Sequence, residues 1–145
     1  MKDKRRQEGK AKGAKTVVGC GIDLVEVERI RRARERWGER FLVRLFTPGE
    51  RAYCAAKREG DGSLAARFAA KEAVAKALGL GLGGFRWREI EVVNAASGRP
   101  AVRLAGTTLA RARALGVEKI LLSLSHTREH ALAQAVALKA EPEMN

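Results

Sequence analysis

The sequence predicts an α+β fold, an antiparallel sheet with helices packed on it, and three observations predict it. Residues 64–79, LAARFAAKEAVAKALG, are rich in Ala and Leu and free of Pro, which is the composition of a helix. REIEVVN, the Gly-containing turn ASGRP and AVRL read as a hairpin with Pro100 opening its second strand. KILLSLSH and HALAQAVAL read as two further alternating or buried strands around a polar turn at Thr127, Arg128 and Glu129. Helices and strands are intermixed and no repeat occurs, so a single domain over 16–140 is expected.

The 145 residues suffice to bury a core unaided. A formal net charge of +12 calls for an anionic partner: nucleic acid, an acidic protein, a phosphorylated small molecule or a membrane surface. Aromatic residues are only 5%, and no basic and aromatic residues interleave as in single-strand binders. No uncharged apolar run approaches the roughly 18 residues that a spanning helix needs, and the N-terminus lacks the apolar core of a signal peptide, so a cytoplasmic location away from membranes is expected. Cys20 and Cys54 lie in apolar contexts without metal spacing, so both are expected to be buried free thiols.

Taken in order, residues 1–15 are basic and nearly devoid of apolar side chains, a disordered tail. TVVGCGIDLVEV follows as a buried strand of about six residues running into a helix, with Asp23 at its end, where it could cap that helix. In VERIRRARERWGERF, Val27, Ile30 and Trp37 share one face while Arg29, Arg32 and Arg36 share the opposite one, and Arg40 extends the arginines past Gly38. Such a stripe is either a solvated face or a docking surface for an acidic helix. Thr47, Pro48 and Glu50 form a capping box for a helix to about Arg58, after which EGDG turns the chain. The central helix then starts with Ser63 as N-cap and stops at Gly79, burying Leu64, Phe68, Ala75 and Leu78. GLGLGG is either a connector or a loop whose amides approach phosphate, and TTLARARALG is a short amphipathic helix.

Glu72 and Lys76 sit at the edge of the central helix's apolar stripe. They are a surface ion pair, or Glu72 ligates a hard cation such as Mg2+, which takes one or two protein carboxylates and fills the rest of its shell with water and phosphate. His126, beside Ser125 and Thr127, reads by itself as a core or edge residue, and no nucleophile elbow supports Ser/His/Asp hydrolysis.

GIDLVEVERI, FTPGERAYC, RFAAKEAVAKALG, NAASGRP and SLSHT, in this order and at these separations, closely resemble the holo-acyl-carrier-protein synthases, the short class of phosphopantetheinyl transferases. The resemblance spans roughly residues 16–139 and implies the phosphopantetheinyl transferase-like fold. It implies transfer of the 4'-phosphopantetheine arm of coenzyme A to a serine of apo acyl carrier protein, with Mg2+ and release of adenosine 3',5'-bisphosphate. Carried over by position, Asp23 and Glu72 become the Mg2+ ligands and catalytic residues with Lys76, the proton being taken by Glu72 or by a water it orients. Arg67, His126 and Thr127 fall at coenzyme A positions, Lys76, one turn beyond Glu72, is placed to reach the same phosphates, and Gly81 and Pro100 shape the cleft. Arg29, Arg36 and Arg40 fall at carrier-docking positions, to which spacing adds Arg32. The resemblance also implies a homotrimer with the cleft between subunits. The basic tail, Leu80 and Cys20 depart from the pattern. The rival readings are a basic nucleic-acid-binding domain, against which the carboxylates weigh, and an inactive carrier-protein adaptor.

Overall fold

The computed structural model describes residues 14–81 and 84–140. The chain runs as strand β1 (Lys15–Glu26), helices α1 (Val27–Trp37), α2 (Glu39–Leu45), α3 (Pro48–Ala55) and α4 (Gly60–Ala77), and a short 3-10 turn (Trp87–Glu89). It continues with strands β2 (Ile90–Asn94) and β3 (Pro100–Leu104), helix α5 (Gly106–Ala114), and strands β4 (Lys119–His126) and β5 (His130–Ala140). Two antiparallel sheets result, one of three strands in the order β1-β5-β4 and one formed by the β2-β3 hairpin. The α+β expectation holds.

The central helix lies across the inner face of the larger sheet. Every second residue of β5, Ala131, Ala133, Ala135 and Ala137, is fully buried, and α4 answers with buried Ala66, Ala69, Ala70, Ala73 and Ala77. Alanine on both surfaces lets a helix and a sheet approach closely, and β1 goes further by using glycine. A Cβ on Gly19 would stand 2.1 Å from the Ala77 carbonyl oxygen, and one on Gly21 would stand 2.0 Å from that of Ala73. No side chain fits at either position. On the other side of α4, Phe46, Cys54, Ile90 and Val92 close the core.

Several local expectations are corrected. The first strand has twelve residues rather than about six, is exposed over much of its length, and begins at Lys15, which pairs with Glu118 at 3.2 Å and so belongs to the domain. Residues 1–13 of the expected tail lie outside the described residues. Helix α4 starts at Gly60, so EGDG is not a turn and Ser63 is a buried interior residue, not the cap. Gly79 does sit just past the helix end, with φ +72. Helix α3 has its capping box but ends at Ala55. Trp37 is 54% exposed, and Cys20 is exposed while Cys54 is buried. None of the described helices is long and apolar enough to cross a membrane.

Candidate active site

Along β1 the residues facing the helix alternate, so the row Gly19, Gly21 continues to Asp23. Asp23 is therefore a mid-strand residue paired opposite Ala133, not a helix cap; α1 is preceded by Glu26, which makes no side-chain capping bond. The two glycines bring α4 down onto this row, and Glu72 and Lys76 of α4 come beside Asp23. The Lys76 ammonium donates to the Ile22 carbonyl at 2.9 Å and lies 3.4 Å from an Asp23 carboxylate oxygen. Lys76 thus reaches across to β1 in place of the i,i+4 pair with Glu72. Partial burial pushes the Glu72 carboxyl above its ordinary pKa, the Asp23 charge pushes it the same way, and Lys76 and Arg29 oppose. Burial likewise raises Asp23 against the pull of Lys76 and Arg29. Two carboxylates and two cations thus meet at the α4–β1 seam.

A cleft of ≈ 720 Å³ lies along β4 and the β2-β3 turn, lined by Tyr53, Arg67, Asn94, Arg99, Pro100, Lys119 and His126 among others. Arg67 projects from α4 and is 4% exposed. Its guanidinium donates to the Asn94 side-chain oxygen at 3.0 Å and stacks 3.9 Å from the Tyr53 ring centroid, leaving a buried Nε–H without a partner. His126 rests on Gly62, where a Cβ would come within 2.9 Å of its Nδ1. The cleft is basic, and its buried, pre-oriented arginine suits a phosphate-bearing ligand.

The comparisons with known proteins decide the family. The family model described as the 4'-phosphopantetheinyl transferase superfamily matches residues 19–135. A holo-[acyl-carrier-protein] synthase of Desulforudis audaxviator is 51% identical over 122 residues, 84% of this chain and 93% of the relative. The chain belongs to the 4'-phosphopantetheinyl transferase superfamily, among the holo-[acyl-carrier-protein] synthases. Two solved synthases share the fold. That of Plasmodium yoelii with ADP bound superposes with a TM-score of 0.77 at 32% identity, covering 88% of this chain and 98% of its own. That of Helicobacter pylori in complex with coenzyme A gives 0.72 at 29%, covering 81% and 98%.

Of the positions that the synthase resemblance singled out, the structure brings together Asp23, Glu72 and Lys76 at the seam, with Arg29 close enough to act on both carboxyls. Arg67, Pro100 and His126 meet in the cleft. Thr127 lies outside the cleft lining, in the β4-β5 turn, where its hydroxyl accepts from the His130 amide at 3.2 Å. Gly81 is exposed, beyond the end of α4, and also outside the lining. Arg29, Arg32, Arg36 and Arg40 are all exposed; Arg32 is held by Glu28 at 3.3 Å, and Arg36 lies over the Trp37 ring at 5.0 Å.

The seam suits a hard divalent cation. Among the described residues no group of three or more His, Cys, Asp and Glu is placed to hold a metal. Two adjacent carboxylates nevertheless offer oxygen donors of the kind a hard divalent cation takes while water and phosphate fill the rest of its shell. Asp23 and Glu72 would be its protein ligands.

Sequence reasoning missed Asn94, Arg99, Lys119 and Tyr53 in the cleft, because they converge from separate elements. It also missed Lys71. This side chain is fully buried; its ammonium donates to Glu50 at 2.7 Å, to the Trp87 carbonyl at 2.9 Å and to the Ile90 carbonyl. Burial pulls its pKa down while Glu50 pulls it up. The other Glu50 oxygen accepts from the Val92 amide at 3.0 Å, so one ion pair joins α3, α4 and β2 behind the site.

Proposed function

We propose that this synthase transfers the 4'-phosphopantetheine arm of coenzyme A to a serine of apo acyl carrier protein in a Mg2+-dependent reaction, releasing adenosine 3',5'-bisphosphate and activating the carrier for fatty acid synthesis in the cytoplasm. The observation that carries the reading is the meeting of Asp23, Glu72 and Lys76 across the α4–β1 seam. The serine oxygen forms a bond to the β-phosphorus of coenzyme A, the bond from that phosphorus to the bridging oxygen breaks, and the nucleotide departs with the electron pair. Bound to Asp23 and Glu72, Mg2+ supplies Lewis acidity and a template for the pyrophosphate. Glu72 takes the serine proton directly or orients a water that does so. Lys76 neutralises charge on the phosphates.

Arg67, with its unpartnered N–H, and His126 bind the nucleotide end in the basic cleft that Pro100 helps to shape. Arg29, Arg32, Arg36 and Arg40 dock the acidic carrier. The reading includes a homotrimer. Arg67 and Lys71 of α4 point to the β2 side and Lys76 to β1, so the cleft and the carboxylates of one chain lie on different sides of the helix. The outer sheet face also leaves Val17, Ile22, Leu24, Leu121 and Leu132 exposed, Leu24 by 64%, an apolar patch that a neighbouring subunit would cover.

The test is incubation of the protein with coenzyme A, Mg2+ and apo carrier. The expected result is a mass gain of one phosphopantetheine per carrier with one equivalent of adenosine 3',5'-bisphosphate, both abolished by chelator. No gain with several carriers would refute the reading.

A further inference from the structure

Two adjoining clefts open beside the arginine helix. One, of ≈ 700 Å³, lies between α2 and the segment leading into β2, and the other, of ≈ 490 Å³, lies where α1 meets α2. They share Arg40, Arg44 and Trp87; the first adds Arg86, Arg88 and Val43, and the second adds Trp37.

Four arginines from two separate elements therefore face one cleft. Arg40 and Arg44 stand one turn apart on α2, while Arg86 and Arg88 flank Trp87 on the opposite wall. All four are exposed, and none is in an ion pair or side-chain hydrogen bond among the described residues. The one acid in the lining, Glu89, is turned to α5, where it accepts from the Thr107 amide at 3.1 Å and the Thr108 amide at 3.3 Å. The four guanidinium groups outnumber that single carboxylate, on which Arg86 acts, and carboxylates entering between them would add paired hydrogen bonds. The walls are also apolar: Trp37 is 54% and Val43 38% exposed. A partner that offers both carboxylates and apolar side chains, a protein surface rather than a free anion, matches this mixture. Arg40 belongs both to this cleft and to the stripe that starts at Arg29, so the two basic surfaces adjoin.

We infer that the docking surface for the acidic carrier extends past α1 and α2 onto Arg44, Arg86 and Arg88, which grip a second acidic segment of the same carrier molecule. This rests on the carrier-protein reading above.

Both tryptophans of the chain, Trp37 and Trp87, line the second cleft, so their fluorescence reports occupancy without any transfer step. Titration with an apo carrier that lacks tryptophan should give a saturable change. Arg86→Glu with Arg88→Glu should weaken the carrier Kd about 5- to 10-fold, and the two Gln substitutions by less. Arg58→Glu with Arg113→Glu, the same change in net charge at two other exposed arginines, should move it less than about 2-fold. Circular dichroism checks that each variant folds. A Kd unchanged in the Arg86/Arg88 variant, or shifted equally in both double variants, overturns the extension while a wild-type protein that transfers the arm keeps the function. A wild type that neither binds carrier nor transfers overturns both.

Discussion

A side chain on Gly21 would begin 2.0 Å from the Ala73 carbonyl oxygen, so strand β1 and helix α4 touch backbone to backbone. That contact lies one alternation from Asp23 on the strand and one residue from Glu72 on the helix. The spacing of the two carboxylates is thereby set by main-chain contact, not by mobile side chains.

Gly21→Ala should therefore lower stability by roughly 1–3 kcal/mol, because backbone must move to admit the methyl group. It should also slow arm transfer by displacing Asp23 from Glu72. Thermal denaturation and a transfer assay check the two effects together, and an alanine accepted without loss in either would contradict the close contact.

Lys71→Met should cost about 3–5 kcal/mol in urea denaturation, since it leaves the Glu50 carboxylate buried beside Phe46 and Ile90 without its partner. Adding Glu50→Gln should recover part of the loss. A single variant as stable as the wild type would mean that the pair does not hold α3, α4 and β2 together.

Burial pushes the Cys54 thiol up to about 11 from 9.0, whereas Cys20 is exposed. A thiol reagent at pH 8 should modify Cys20 and leave Cys54 protonated and protected in the folded protein. Because the folded pKa lies above the unfolded one, this thiol's contribution to stability is complete below about pH 9 and disappears as the pH climbs towards 11. Mass spectrometry of labelled peptides distinguishes the two cysteines.

Arg29→Glu with Arg36→Glu should raise the KM for carrier by about 10-fold, with a smaller effect at high salt, while the KM for coenzyme A stays put. Steady-state kinetics at two ionic strengths check it. An unchanged KM with the salt dependence retained would place the docking surface elsewhere.

Much of this was legible in the sequence, and the failures have physical reasons. The hairpin, the capping box at Thr47 and the central helix were all readable from local composition. The helix start was not: the glycines of EGDG look like a turn, yet Gly62 sits inside the helix because His126 packs where its side chain would be. Cys20 and Trp37 were expected inside because apolar neighbours suggest burial. A register shift between Val17 and Gly19 aligns β1 so that Cys20 faces outward, and Trp37 extends beyond the core that Val27 and Ile30 fill. Asp23 and Glu72 were legible through their motifs, whereas Lys71, one residue before Glu72, was not. Nothing in a helical repeat tells a lysine that will find a carboxylate and two carbonyls from one that will face water.

The carboxylate pair supplies the most direct test. Both carboxyls are held above their ordinary pKa, so the stability they contribute is present only while they are protonated and is lost as pH rises through their folded values. Glu72→Gln removes one of two like charges and should be at least as stable as the wild type in the absence of divalent cations. The decisive measurement is arm transfer to apo carrier by Glu72→Gln beside its melting temperature. The account predicts a well-folded variant, melting no lower than wild type, with transfer abolished. Transfer at the wild-type rate by that folded variant would contradict it.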